Sequence, residues 1–153
     1  MYNAPILKIM YLSNYDLEKW KKMDYTKQGD ACFDIRAAIK EPVTLYHMQV
    51  KLIPNGFKTE FTNDWVLHIY PRSGLACKHS VTLINCVGTV DSGYRGEVMT
   101  GLINFSETPY TINPGDRIAQ AALEFIPITR MQTVFELSNS ERGEGGIGHT
   151  GSK

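Results

Sequence analysis

The feature that most constrains this chain is its punctuation. Strand-length segments rich in β-branched and aromatic residues alternate with glycine and proline turns. Runs of that kind read as β-strands, because branched side chains suit a pleated surface while Gly, Pro, Asn and Asp supply the turns. The pattern predicts strands at 7–12, 32–37, 43–46, 49–53, 65–70, 81–84, 98–105, 110–112, 117–126 and 133–137. Turns are expected at Pro54-Asn55-Gly56, across 92–96, and at Asn113-Pro114-Gly115-Asp116. Short strands with short connections favour an all-β sandwich or barrel over repeated βαβ units. Helix is expected in two places only. Residues 16–23 follow Ser13-Asn14, either of which could cap, and carry Glu18 and Lys22 at i,i+4. A second short turn begins at Ser73.

The strand at 65–70 is apolar on both faces, which calls for cover on both faces and gives a first hint of an oligomer. At 153 residues the chain is one domain of ordinary size. It divides into a β body over 1–137 and a flexible arm over 138–153. The arm is glycine-rich, with Ile147 its only large aliphatic, so it cannot anchor itself by burial.

Charge excludes several classes of function. Lys+Arg and Asp+Glu are both 16, so no long-range field draws the chain to nucleic acid or an anionic membrane. No apolar run approaches the ~18 residues of a membrane span. The N-terminus lacks a signal-peptide pattern, which leaves the cytoplasm (a host's, if the protein is viral) as the expected location. Cys32, Cys77 and Cys86 are odd in number and lack CxxC spacing, so buried or half-buried free thiols are expected rather than a disulfide or zinc site. The histidines at 47, 68, 79 and 149 show no metal-ligand spacing.

Five polar clusters remain, three of them with a chemical reading beside the plain structural one. Asp34 lies within a strand and reads first as a solvated or turn residue. Arg72-Ser73-Gly74 follows a strand end, where a guanidinium, a hydroxyl and free amides suit phosphate oxygens; a capped turn would look the same. In the stretch 85–96, Asp91 sits at a strand-to-turn transition and could orient a water and take its proton, with Tyr94 near enough to lay its ring on a sugar or base. An ordinary hairpin with a self-capping Asp fits equally. In 114–120 the alternation places Ile118 and Gln120 on one strand face, Arg117 and Ala119 on the other. In the tail, Arg142 and the following glycines offer a bidentate donor and approachable amides to an anion, or form a linker.

Singly these clusters decide little; their order is specific. Cys32-Phe33-Asp34-Ile35-Arg36-Ala37, Pro71-Arg72-Ser73-Gly74, residues 88–97, Gly115-Asp116-Arg117-Ile118-Ala119-Gln120 and residues 142–151 together resemble the five motifs of the homotrimeric dUTPases. The resemblance runs from about residue 29 to the C-terminus. It implies a jelly-roll, or distorted β-barrel, subunit that trimerises and swaps its glycine-rich C-terminal arm. It implies hydrolysis of dUTP to dUMP and pyrophosphate by water attack on the α-phosphorus, limiting uracil in DNA and supplying dUMP for dTTP synthesis.

By the same resemblance, Asp91 would activate the water and Tyr94 would exclude a 2′-hydroxyl. Asn85, Gly88, Thr89, Val90 and Met99 would receive the uracil. Arg72, Ser73, Gly74 and Gln120 would hold phosphates. Arg142, with Gly146 and Gly148, would clamp the distal phosphates, and Ile147 would cover the base. Mg2+ would travel on the triphosphate, touched by Asp34 through water. Three positions depart from the family pattern: Cys32 replaces a glycine, Gly93 replaces a second acid, and Ile147 replaces an aromatic that stacks on the base. Stacking is worth ~1–3 kcal/mol, so the last departure implies weaker substrate binding. Two other readings share these residues: a dCTP deaminase-like enzyme of the same fold, and a nucleotide-sensing binding protein with a regulatory protein partner. The Lys- and aromatic-rich stretch 14–25 is where such a partner would be sought.

Overall fold

The computed structural model describes residues 4–146. Eleven strands and two short helices follow one another: β1 Lys8–Tyr11, α1 Leu17–Trp20, β2 Phe33–Arg36, β3 Val43–Leu45, β4 Val50–Pro54, β5 Phe57–Glu60, β6 Trp65–Tyr70, α2 Ser73–His79, β7 Val81–Leu83, β8 Gly88–Val90, β9 Met99–Asn104, β10 Tyr110–Ile112 and β11 Arg117–Phe125. They pair antiparallel into a four-stranded sheet β2-β11-β6-β8, a three-stranded sheet β4-β9-β7, and two pairs, β1-β5 and β10-β3. The fold is an all-β jelly roll whose sheets do not close into a barrel. Among the described residues, no helix is long and apolar enough to cross a membrane.

Alternation builds the core. Phe33 and Ile35 of β2, Leu67 and Ile69 of β6, Leu83 of β7, Leu102 of β9 and Ala119 and Ala121 of β11 turn inward and are buried together. At roughly 25 cal/mol per Å² of apolar surface removed from water, such a cluster is the main stabilising term. On the outer face of β6, Val66 is also buried, so part of the expected second cover comes from within the chain.

The Asn55-Gly56 turn does not make a hairpin. β4 leaves it to pair with β9, and β5 leaves it to pair with β1. The turn is a corner between sheets. Asn55 is fully buried there; its Nδ2 donates to the Arg36 carbonyl at 3.1 Å and its Oδ1 accepts from Thr100 Oγ1 at 2.8 Å. Gly56 has φ +73°, and a Cβ there would lie 2.7 Å from Ala38 Cβ and 2.9 Å from Tyr15 Cβ. Left-handed strain and overpacking act together, so Gly56→Ala should lower stability by about 2–4 kcal/mol in urea unfolding with little change in the m-value.

Several expectations are corrected. The helix at 16–23 shrinks to α1, capped not by Ser13 or Asn14 but by Asp16, whose Oδ1 accepts from Lys19 N at 2.9 Å. Lys21 at φ 62° ends it. Asn14 is used elsewhere, as described below. The strand at 133–137 is absent: Phe135 and Leu137 are exposed and this segment pairs with nothing among the described residues. Its alternation is that of a strand, but no free sheet edge within the chain receives it. Of the thiols only Cys32 is half-buried, with its pKa pushed up by burial and by nearby Glu124; Cys77 and Cys86 are exposed.

Candidate active site

Two cavities carry Arg72, Asp91 and Tyr94 among the polar residues singled out in the sequence. The first, about 210 Å3, is lined by Thr89, Val90, Asp91, Tyr94, Val98 and Met99. It lies where β8 gives way to a tight turn that leads into β9. The turn closes by the Tyr94 N–H donating to the Asp91 carbonyl at 3.1 Å. The Asp91 carboxylate is exposed at its mouth. The Tyr94 ring folds back over Gly96, where a Cβ would meet the phenol oxygen at 2.3 Å, and its hydroxyl donates to the Glu97 carbonyl at 2.9 Å. A glycine is therefore required at 96 for the ring to lie there. Gly93 has nothing near its missing Cβ, so the departure at that position leaves open space. Asn85 does not line this cavity. Its side chain lies within 4 Å of where Cβ atoms on Gly88 and Gly101 would be.

The second cavity, about 360 Å3, is lined by Arg72, Gly74, Leu75, Lys78, His79, Tyr110, Asp116 and Arg117. Helix α2 starts at Ser73 as expected, with Arg72 as its N-cap and no side-chain capping bond. The Ser73 side chain therefore does not cap the helix. Gln120 Nε2 donates to the Pro71 carbonyl at 3.0 Å and holds the loop leading to Arg72.

A bulge organises this end. β11 pairs Arg117 with Arg36 and Ala119 with Ile35, so Ile118 is an extra residue. Ile118 and Ala119 are both buried, and Arg117 shares the outer face with Gln120 instead of opposing it. Bulges re-aim side chains in this way. The alternation expected across 117–120 fails at that point. Arg117 Nη1 thereby reaches Asp34 Oδ2 at 3.1 Å, while Arg72 Nε takes Asp34 Oδ1 at 2.9 Å and Arg72 Nη1 donates to the Arg117 carbonyl at 3.1 Å. Asp34 is thus neither a solvated residue nor a turn residue. Arg117, Lys78, His79, Tyr110 and Asp116 were not singled out for this cavity; the bulge and the contact of the His79 and Tyr110 rings help bring them there.

The donor set also bears on magnesium. No group of three or more His, Cys, Asp or Glu side chains able to hold a metal occurs among the described residues. Both Asp34 oxygens are engaged by guanidinium groups, which neutralise the carboxylate. These residues do not fit an ion held by the protein. An ion carried on a triphosphate needs no such set.

The two cavities share no residue. Sheet register explains why: Val90 faces Leu67 and Gly88 faces Ile69, so Asp91 lies level with the start of β6, whereas Arg72 lies beyond its end. About six residues of extended chain, roughly 20 Å, separate them.

Of the arm, Arg142 and Gly146 are described and both are exposed. Arg142 Nε donates to the Gly145 carbonyl at 2.8 Å, in a turn where Gly143 has φ +53°. Ile147 and Gly148 lie outside the described residues.

A further polar cluster on the outer face of the four-stranded sheet belongs to neither cavity. Glu124 accepts from the Tyr70 hydroxyl and lies 3.3 Å from His68 Nδ1. The bond to Glu124 pushes the Tyr70 phenol up to about 12 and draws the Glu124 carboxyl down.

Comparison with known proteins agrees with this architecture. The dUTPase family model matches residues 18–151. A deoxyuridine 5′-triphosphate nucleotidohydrolase of Fusobacterium nucleatum is 45% identical over 127 residues, 83% of this chain and 87% of that protein. The enzyme of the same name from Finegoldia magna is 41% identical over 145 residues, covering 95% and 98%. Among solved structures, a point mutant of the Staphylococcus bacteriophage 80alpha dUTPase with dUpNHpp superposes with a TM-score of 0.83 at 25% identity, over 95% of this chain and 98% of that one. Fold and relatives together define an all-β nucleotidohydrolase. The chain belongs to the dUTPase family.

Proposed function

We propose that the chain hydrolyses dUTP to dUMP and pyrophosphate at sites shared between copies of itself in a trimer. One observation carries this reading. The carboxylate and phenol needed at the nucleoside end and the guanidinium groups needed at the phosphate end occupy separate cavities about 20 Å apart by sheet register. In a trimer, a second copy presents its Arg72 end to the Asp91 end of the first and brings both onto one substrate.

In the assembled site, Asp91 orients a water in line with the α-phosphorus and accepts its proton, while contacting the 3′-hydroxyl. Tyr94 packs on deoxyribose and leaves no room for a 2′-hydroxyl. Thr89, Val90 and Met99 surround the uracil edge, with Gly88 and Asn85 beside them, too closely for the extra methyl of thymine. Arg72, Ser73 and Gly74 bind phosphate oxygens of the triphosphate held by the other copy, and Gln120 fixes their loop. Arg142 swings in from an arm with Gly146, Ile147 and Gly148. Such a site works by positioning and by neutralising charge, since a phosphoryl group in flight leaves little covalent work for the protein. Magnesium enters with the triphosphate and is treated as part of the substrate. The physiological consequence is a lowered dUTP pool, which limits uracil in DNA, and a supply of dUMP.

Sharing of sites has a direct test. Asp91→Asn and Arg72→Ala are each expected to be nearly inactive as pure proteins. Denatured together and refolded as mixed assemblies, they should regain a measurable fraction of wild-type turnover, because some sites combine an intact Asp91 from one chain with an intact Arg72 from the other. No recovery in demonstrably mixed assemblies would mean that each site draws both residues from one chain.

A further inference from the structure

The Tyr94 ring is held by a hydrogen bond to a carbonyl, and that carbonyl belongs to a residue whose side chain is itself pinned. Glu97 is half-buried. Its Oε1 accepts from the Gly56 N–H at 2.8 Å and from Asn14 Nδ2 at 2.9 Å. Asn14 Nδ2 also lies 3.2 Å from the Ala38 carbonyl. Gly56 is the corner between β4 and β5, so Glu97 ties the turn that carries Asp91 and Tyr94 to a close-packed junction of the body. Backbone bonds flank the same point: Asn55 N donates to the Val98 carbonyl at 3.1 Å and Val98 N to the Phe57 carbonyl at 2.9 Å. On the other side Gly96 leaves the Tyr94 ring free to lie against the backbone next to Glu97.

We propose that Glu97 is a positioning residue for sugar selection, fixing the Tyr94 ring through its own backbone carbonyl while its carboxylate anchors that carbonyl to Gly56 and Asn14. The inference rests on the dUTPase reading above. It assigns the rejection of a 2′-hydroxyl not to the ring alone but to the stiffness of its mount. A phenol ring can exclude an atom the size of a hydroxyl only if it cannot retreat, and an exposed turn by itself retreats easily. A charged acceptor that satisfies two donors is the stronger kind of hydrogen-bonding group and suits that task. Asn14 lies in the stretch before residue 29, outside the family motifs, so this anchor is built partly from residues that carry none of the resemblance.

The test measures kcat/KM for dUTP and for UTP side by side. Glu97→Ala is expected to lower the dUTP-over-UTP preference about tenfold, mainly by admitting UTP, with kcat on dUTP changed less than threefold. Glu97→Gln keeps an oxygen that can accept both bonds and should restore most of the preference. Tyr94→Phe keeps the ring but removes the bond to the Glu97 carbonyl, so it should relax the preference in the same direction without disturbing the body of the fold. A purely structural role for Glu97 would lower the melting temperature and leave the ratio alone. The proposal is overturned if Glu97→Ala folds and keeps the wild-type ratio. It is also overturned if Tyr94→Phe keeps that ratio, a result that decides the matter even where Glu97→Ala does not fold. Absence of dUTP hydrolysis in the unmodified chain would instead refute the function on which the inference rests.

Discussion

Asp91→Asn is expected to cut kcat on dUTP by about 10²–10⁴-fold, the usual contribution of a positioned general base, while KM, the assembly state and the melting temperature stay near wild type. The structure gives reasons for the silent part of that result. Asp91 is exposed, and its carbonyl, not its carboxylate, closes the turn with Tyr94. The amide variant therefore removes a proton acceptor and no structural bond. Stopped-flow release of pyrophosphate would separate the chemical step from binding. Turnover within about threefold of wild type would remove Asp91 from the reaction and leave the 210 Å3 cavity as a binding pocket only.

The second large effect is expected at the other end of the chain. A protein ending at Glu141 should lose activity by about 10²-fold or more, because Arg142 and the glycines after it supply the last donors to the triphosphate. Its fold should not suffer. Among the described residues the buried core contains nothing beyond Ala121, and Phe135 and Leu137 are exposed. Circular dichroism and urea unfolding should match the full chain. Retained activity would mean that the cavity around Arg72 and Arg117 suffices to hold the phosphates.

The class of fold was legible because alternation and turn chemistry are local. Nearly every long strand was found within a residue or two, and α2 began at Ser73 as expected. Apart from the shortened first helix, the misses share a cause: they depend on partners distant in sequence. Asn55-Gly56 has the composition of a hairpin turn, yet its flanking strands pair with β9 and β1, and β5 was overlooked for want of its own partner nearby. Arg117 lies on the outer face because Ile118 bulges, and a bulge leaves no mark on a period-two pattern. Residues 133–137 alternate like a strand but find no edge within the chain.

Site residues were legible only in part. Arg72, Asp91 and Tyr94 stood out as chemistry-bearing types next to glycine turns, and their roles came from the resemblance of the whole motif order. That the residues fall into two separate cavities could not be read from spacing along the chain, since register alone sets that distance. Asp34 shows the same limit: both its oxygens are taken by arginines from β11 and the α2 cap. Glu97 fell within the motif at 88–97, but its role was illegible, because its partners Asn14 and Gly56 lie 83 and 41 residues away.

The central claim is hydrolysis of one nucleotide at its α-phosphorus. The most direct measurement supplies the purified chain and Mg2+ with dUTP, dCTP, dTTP and UTP in parallel and follows pyrophosphate and ammonia. Pyrophosphate from dUTP, with little from the other three and no ammonia, is the predicted result. Ammonia from dCTP, or no product from any of the four, would contradict it.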